Sequence, residues 1–421
     1  MVEIKLYVDT ILTSKVNHQR RAMRLYISEE EYKRRIERVR EELERRNLDA
    51  LLLTNPKHIF YLTGYTHIPT ERPALLLVPR EGELAFLGPL LEEDHLRHQT
   101  RLIGEVRTYF DYPGERHPIE LFAEWLREMG YAKAKLGADN PAGASGIYGY
   151  VGPPLSEKLP EATFTRAGDI IWKMRLIKSD AEIALIRESA KWGNLAHRLL
   201  QEYTAPGLWD VEISLMASLE ATSMMKKTLG VEYIPTRVGR PPAYAGFRGQ
   251  VGWKSAMPHS IGIGREIRVG DVLITGAGAE VGGYSSELER TLIVGEPSEK
   301  QRRLFEVMLK AQEAALEAMA PGVRCCDVDR AARKIIVDAG YGDYMRHHTG
   351  HGIGLDGHEP PWLDIGNEEP LKPGMVVSCE PGIYIPGFAG FRHSDTVLIT
   401  EDGAERITYY PRDLESLVIS V

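Results

Sequence analysis

Two acidic side chains stand two residues apart in Ser285-Ser286-Glu287-Leu288-Glu289-Arg290-Thr291. In an extended strand, residues two apart share a face. Glu287 and Glu289 therefore point the same way, and like charges that close raise each other's pKa unless a cation intervenes. Upstream, Pro258-His259 carries an imidazole, the common side chain suited to giving and taking protons near neutrality. Downstream come His348-Thr349-Gly350-His351-Gly352-Ile353-Gly354, His358-Glu359-Pro360-Pro361 and Cys379-Glu380-Pro381-Gly382-Ile383-Tyr384. Histidines beside carboxylates can carry acid–base work or hold a divalent ion.

The elements that must position these groups can be read from periodicity. Ile27 to Arg46 has Ser28 as a cap and apolar residues at helical spacing. Asp49 to Thr54 is a short apolar run closed by Asn55-Pro56, a buried strand ending in a turn. Ala74 to Pro79 and Leu84 to Leu87 continue as strands. Helix and strand alternate to about Phe164, the pattern of a small α/β domain. Ser179-Asp180-Ala181-Glu182 is a capping box that opens a long helix to about Tyr203. A second long helix is expected from Val211 to Thr228. Strands are expected at Thr236–Gly239, Val272–Glu280 and Tyr284–Val294. Two helices follow, at Glu299–Ala320 and Cys326–Ala339, then strands at Met375–Cys379 and Asp395–Thr400. The expected division is residues 1–168, an α/β domain, and 169–421, an α+β domain.

With 421 residues, two domains are the natural expectation. A net charge of −8 argues against a nucleic-acid binder. No apolar run approaches the ~20 residues that span a bilayer. Met1 to Arg24 lacks a continuous apolar stretch, so no signal peptide is expected. The cysteines Cys325, Cys326 and Cys379 have neither zinc-like nor disulfide-framework spacing, and a reducing cytoplasm is the expected location.

The order of Pro258-His259, Gly278-Ala279-Glu280 through Glu289-Arg290-Thr291, the His351 and His358 segment and the Glu380 segment resembles the pita-bread peptidase family of prolidases, aminopeptidases P and creatinase. The resemblance spans nearly the whole chain. It implies the pita-bread catalytic fold after a creatinase/prolidase-type α/β domain, and a homodimer in which one chain's first domain helps close the other's site. It also implies where five ligands of a two-ion centre would stand. The first aspartate falls on Gly276, which has no ligand atom. The second, eleven residues on, falls on Glu287. The histidine falls on His351, one glutamate on Glu380, and the last on Ser394. A single Mn or Co ion on Glu287, His351 and Glu380 stays conceivable, but no cofactor is the main expectation.

Glu289 stands where metal-dependent members carry threonine, and Glu289-Arg290-Thr291 resembles creatinase, a member that works without metal. That resemblance implies that Glu289 and Glu380 hold a cationic guanidinium and that His259 shuttles protons. The expected reaction is metal-independent hydrolysis of a C–N bond in a small cationic substrate, with His351 and His358 orienting it. An Xaa-Pro dipeptidase or aminopeptidase with a depleted metal site is the alternative. An inactive module that binds a peptide or another protein is a further one. Trp362 is expected to favour an apolar substrate group. Arg72, near the Tyr61–Tyr65 loop, is a substrate-contact candidate, as is Arg392, which is expected to pair with Asp395 beneath the site. Glu280 reads as a solvated turn carboxylate, His347 and His393 as extras.

Overall fold

The computed structural model describes residues 25–142, 152–230, 241–262 and 264–421. The readings at Met1–Arg24 and Thr236–Gly239 lie outside these residues. The first helix, α1 (Glu29–Arg45), is capped by Ser28, whose hydroxyl accepts from the Glu31 amide at 3.2 Å, and buries Ile36, Val39 and Leu43. Strand β1 (Ala50–Leu53) is buried throughout. Asn55-Pro56, expected as a turn, instead starts a helix, α2 (Pro56–Thr63), which runs into the expected Tyr61–Tyr65 loop. The Asn55 side chain accepts from the Lys57 amide at 2.9 Å. Proline costs nothing in the first turn, where its missing N–H would have no partner. Gly64, at φ 72°, ends the helix in the left-handed conformation that glycine adopts freely.

The chain continues through β2 (Leu75–Pro79), β3 (Leu84–Pro89), α3 (Glu93–Gln99), β4 (Ile103–Tyr109), α4 (Pro118–Glu128), β5 (Lys135–Ala138), α5 (Leu155–Lys158) and β6 (Thr163–Arg166). Their sheet has the order β4-β3-β2-β1-β5-β6. β1 and β2 are apolar at every position because both faces are covered. A short helix not separately expected, α6 (Asp169–Leu176), leads to α7 (Asp180–Tyr203), whose Ser179–Glu182 capping box forms as read.

After α8 (Asp210–Leu229) and β7 (Ala243–Gly246), the expected long strands are interrupted. Val272–Glu280 is two strands, β8 (Val272–Ile274) and β9 (Gly276–Val281). The second run divides into β10 (Tyr284–Ser285), β11 (Leu288–Glu289) and β12 (Thr291–Val294). Thr275 is the break: its hydroxyl donates to the Arg290 carbonyl at 3.1 Å and accepts the Arg290 amide at 2.9 Å. Helices α9 (Glu299–Ala318) and α10 (Cys325–Asp338) precede β13 (Gly350–Gly352), β14 (Glu359–Leu363), β15 (Val376–Cys379), β16 (Gly382–Ile385), β17 (Ala389–Arg392), β18 (Ser394–Thr400), β19 (Gly403–Arg406) and β20 (Val418–Ile419). The larger sheet runs β10-β9-β11-β18-β15-β13-β14, with β7 on β9 and β19 on β18. Its centre sets Glu289 opposite Ser394 and Cys379 opposite Asp395.

One apolar cluster runs from Val39 and Leu43 on α1 through Leu185 and Ile186 on α7 to Val377 and Val397 in the larger sheet. Buried charges cross the same boundary. Arg35 on α1 contacts Glu31 at 2.5 Å and Glu182 on α7 at 3.3 Å, and the Tyr284 hydroxyl donates to Glu182 at 2.7 Å. Arg290, fully buried, donates to the carbonyls of Glu289, Ser394, Tyr410 and Pro411 and to the Asp395 carboxylate. Among the described residues, no helix is long and apolar enough to cross a membrane.

Candidate active site

Strands β11, β13, β15 and β18 bring Glu287, Glu289, His351 and Glu380 together. His351 Nε2 lies 3.0 Å from Glu380 Oε1 and 4.0 Å from Glu287 Oε2. Its Nδ1 is 3.0 Å from the Gly352 carbonyl, which fixes the ring. The His358 ring stacks on it at 3.7 Å with planes 16° apart. Burial disfavours charge on His351, but the Glu380 hydrogen bond and the Glu287 charge outweigh this and push its pKa up to about 9. His358 is driven down to about 4, first by burial and then by the His351 charge. Glu287 is raised, by burial first and then by Glu380 and Glu289. Burial also works against the Glu380 carboxylate, yet His351 and then Arg392 hold it well below its usual range.

The cation facing Glu289 comes from the chain itself. Arg392 Nε contacts Glu289 Oε2 and lies 4.0 Å from Glu380 Oε2. Arg392 Nη1 donates to the Tyr384 hydroxyl at 3.2 Å, and His347 Nε2 lies 2.7 Å from the same oxygen. Arg248 Nη2 approaches Glu289 Oε1 at 3.5 Å. This corrects the expectation that Glu289 awaits a substrate guanidinium: Arg392 already meets it. Arg392 is likewise not paired with Asp395, which binds Arg290 at 2.9 Å. Residues 392 and 395 are an odd number apart, so an extended chain turns them to opposite sides.

The remaining expected residues fall at several distances from this cluster. His259 is exposed, and its charge acts on His358, but among the described contacts it makes no hydrogen bond to the cluster. Trp362 is exposed, with its ring 5.9 Å from that of His348. Arg72 pairs with Asp111 at 2.7 Å and with Glu71 in the first domain, not with the cluster. Glu280 is buried on β9 rather than solvated. His393 is buried, edge-on to Phe305 at 5.1 Å.

Ser394 takes a part other than the ligand role read for its position, and Lys178, Arg175 and Asp356 were given no role from the sequence. Ser394 donates to Glu287 Oε1 at 2.7 Å. Glu359, the residue after His358, is bound by Lys178 at 2.8 Å and by Arg175, which also holds Asp356 at 2.6 Å. These three chain regions meet only in the fold, so local spacing carried no signal for them. Ser394 did carry one, as the residue standing at a missing ligand.

The model of metallopeptidase family M24 matches residues 184–401, and that of the creatinase/prolidase N-terminal domain matches residues 35–177. The chain belongs to family M24. Among M24 relatives, a putative dipeptidase of Bacillus subtilis, YkvY, is 33% identical over 384 residues, covering 90% of this chain and 99% of its own. The Xaa-Pro dipeptidase of Pyrococcus horikoshii is 30% identical over 386 residues, covering 90% and 98%. Dipeptidase PepE of Mycobacterium ulcerans superposes with a TM-score of 0.77 at 29% identity, covering 94% of this chain and all of its own. The two-domain fold expected from the motifs is thus the fold of the M24 relatives. All three are named as dipeptidases, one of them as an Xaa-Pro dipeptidase, which fits the Xaa-Pro alternative better than a guanidino substrate.

The M24 name implies a metal. A two-ion centre does not fit the residues present. Gly276 offers no donor, the Ser394 hydroxyl is spent on Glu287, and Glu289 is met by Arg392. A single ion does fit: Glu287, His351 and His358 each place one donor atom within 4.8 Å of the others. A carboxylate with two imidazoles is a donor set that divalent transition metals accept. Glu380, the third residue of the trio expected from the sequence, lies 3.0 Å from His351 Nε2, and its carboxylate converges with those of Glu287 and Glu289 within the same 4.8 Å.

Proposed function

We propose that this M24 chain hydrolyses the C–N bond of a short peptide, with Xaa-Pro dipeptides as the first candidates, at a centre built for one divalent ion such as Mn or Co. The observation that carries this reading is the convergence of Glu287, His351 and His358 on one point of a peptidase scaffold. Such an ion, when bound, supplies an acidified water and polarises the scissile carbonyl. The chain's own residues do the rest. Glu380, held ionised, accepts a proton. His358 is neutral and ready to ligate, whereas His351 must first release a proton. His259, exposed beside His358, delivers a proton to the leaving nitrogen. Trp362 gives a proline ring an apolar wall. A homodimer belongs to the same proposal, and sedimentation velocity tests it.

Hydrolysis of an Xaa-Pro dipeptide panel, with Mn or Co and then with chelator, is the deciding assay. Turnover lost on chelation and restored by Mn is the expected outcome. Turnover of a guanidino or amidine substrate that survives chelation and disappears in His259→Ala would instead favour metal-independent hydrolysis.

A further inference from the structure

A tight turn ahead of the His259 segment carries an arginine in a backbone conformation that arginine seldom takes. The Gln250 amide donates to the Phe247 carbonyl at 2.7 Å, and the two residues between, Arg248 and Gly249, have φ of 49° and 71°. Two successive positive φ angles suit glycine, asparagine and aspartate. Arg248 therefore asks for a reason outside the turn. Strand β7 delivers the turn to the site, since its last residue, Gly246, pairs with Gly276 on β9. There Arg248 Nη2 lies 3.5 Å from Glu289 Oε1 and donates to the Gln250 side-chain oxygen at 3.2 Å. Glu289 and Gln250 are buried, yet the Arg248 side chain is 52% exposed. An ion pair so exposed adds little stability. What it does is hold a guanidinium in place with half of its surface open.

We infer that Arg248 receives the C-terminal carboxylate of the substrate, which makes this chain an enzyme of dipeptides rather than of longer peptides. The inference rests on the peptidase reading above and names the group that its substrate must carry. A guanidinium is permanently charged and binds a carboxylate through paired hydrogen bonds. Arg392 and Arg72, the other arginines read as substrate contacts, are spent on Glu289 and Asp111. Arg248 is one contact, 3.5 Å, beyond the carboxylate cluster, a distance comparable with the ~3.8 Å that one residue spans. In a dipeptide the leaving nitrogen and the carboxylate belong to one amino acid, so the groups that meet them must be neighbours. Ser260 Oγ, next to His259, donates to the Gly249 carbonyl at 3.1 Å, and a Cβ on Gly249 would meet the Gly262 Cα at 2.6 Å. The turn and the His259 segment are thus packed backbone against backbone. The proton donor for the leaving nitrogen and the anchor for its carboxylate move as one piece.

The test compares free acid with amide. Gly-Pro and its C-terminal amide are assayed with the Mn-loaded full chain, and L-proline and L-prolinamide are titrated into the same chain by ligand-observed NMR. The parent is expected to prefer Gly-Pro over its amide about tenfold to a hundredfold in kcat/KM, the range of a hydrogen bond to a charged group, and to bind proline over prolinamide. Arg248→Asn should bring both preferences toward one, chiefly through KM. Asparagine suits the left-handed turn, so the urea midpoint of this variant should equal or exceed the parent's, which a purely structural role for Arg248 would not give. Arg248→Lys should keep part of the preference. Equal handling of acid and amide by the parent, or a preference that survives Arg248→Asn, overturns the inference. Proline binding that depends on Arg248, without turnover of any peptide, would keep the anchor and sink the peptidase reading. Neither binding nor turnover overturns both.

Discussion

At the scale of single residues, the site is governed by which partner each charge finds. Glu380 and His351 satisfy each other at 3.0 Å, Glu289 has Arg392, and Glu287 has only the Ser394 hydroxyl within hydrogen-bond reach among the described contacts. Glu287 is therefore the carboxylate most in need of a cation. Replacing it with glutamine, or His358 with alanine, should weaken Mn binding by at least about a hundredfold, more than the tenfold to hundredfold of lost supporting contacts. Calorimetric titration measures this, and unchanged affinity in both variants would remove the trio as ligands. Much of this chemistry was legible beforehand. The i, i+2 spacing of Glu287 and Glu289 and the His-Glu motifs pointed at one cluster. What was not legible was the direction of Arg392. Arg392 was expected to pair with Asp395, and only the fold shows that it meets Glu289 instead.

At the scale of elements, the buried hub on Arg290 joins β11, β18 and the C-terminal tail. Arg290 and Asp395 are both fully buried. Arg290→Met would leave Asp395 with only the more distant Arg412 guanidinium, at 3.8 Å, and should cost about 3–5 kcal/mol of stability, read by urea unfolding. A loss below about 1 kcal/mol would show that Thr408, Gln312 and Arg412, which also bind Asp395, suffice without it. His197 on α7 makes a pH prediction. It is fully buried 2.7 Å from the Thr275 hydroxyl, and burial holds its pKa well below the usual value. The unfolded chain, with a pKa near 6.5 at this residue, takes the proton first. Stability is thus whole above about pH 6.5 and declines below it, by up to about 1.4 kcal/mol per pH unit from this group. The His197→Gln variant should show a flatter acid limb in urea midpoints between pH 7.5 and 5.5. The helices α7, α8, α9 and α10 were readable within about two residues, because capping boxes and 3.6-residue periodicity are local. Helix α2 was misread because Asn55-Pro56 serves equally as a turn and as a cap followed by proline. The strand break at Thr275 was invisible because its cause, the Arg290 backbone, lies fifteen residues away.

At the scale of the whole molecule, the two halves are joined through charge as well as apolar packing. Arg175 lies at the end of the first family-model match, and Lys178 lies between the two. They grip Glu359, next to the candidate ligand His358, and all three side chains are at most 2% exposed. Gly354 is small because a Cβ there would meet Glu359 Oε1 at 2.8 Å and Lys178 at 3.1 Å. Lys178→Met removes one partner of this buried cluster and should cost about 3 kcal/mol. Hydrogen exchange across residues 353–361 should rise, while exchange in α9 stays unchanged. Uniform acceleration through the chain would mean that the ion pairs only add stability and do not hold this loop. Two domains were evident from the change of pattern near residue 170, whereas this latch was not, since its halves are about 180 residues apart.

The pairing of Glu289 with Arg392 also bears on the order of events in biosynthesis. A newly made metalloprotein with a bare carboxylate cluster must acquire its ion during folding, or tolerate repulsion in its core until it does. Here the most enclosed carboxylate already has a cation encoded in the same polypeptide. The ribosome's product can complete its core in an ion-poor medium, and the ion proposed above would then be a late addition beside the exposed His358.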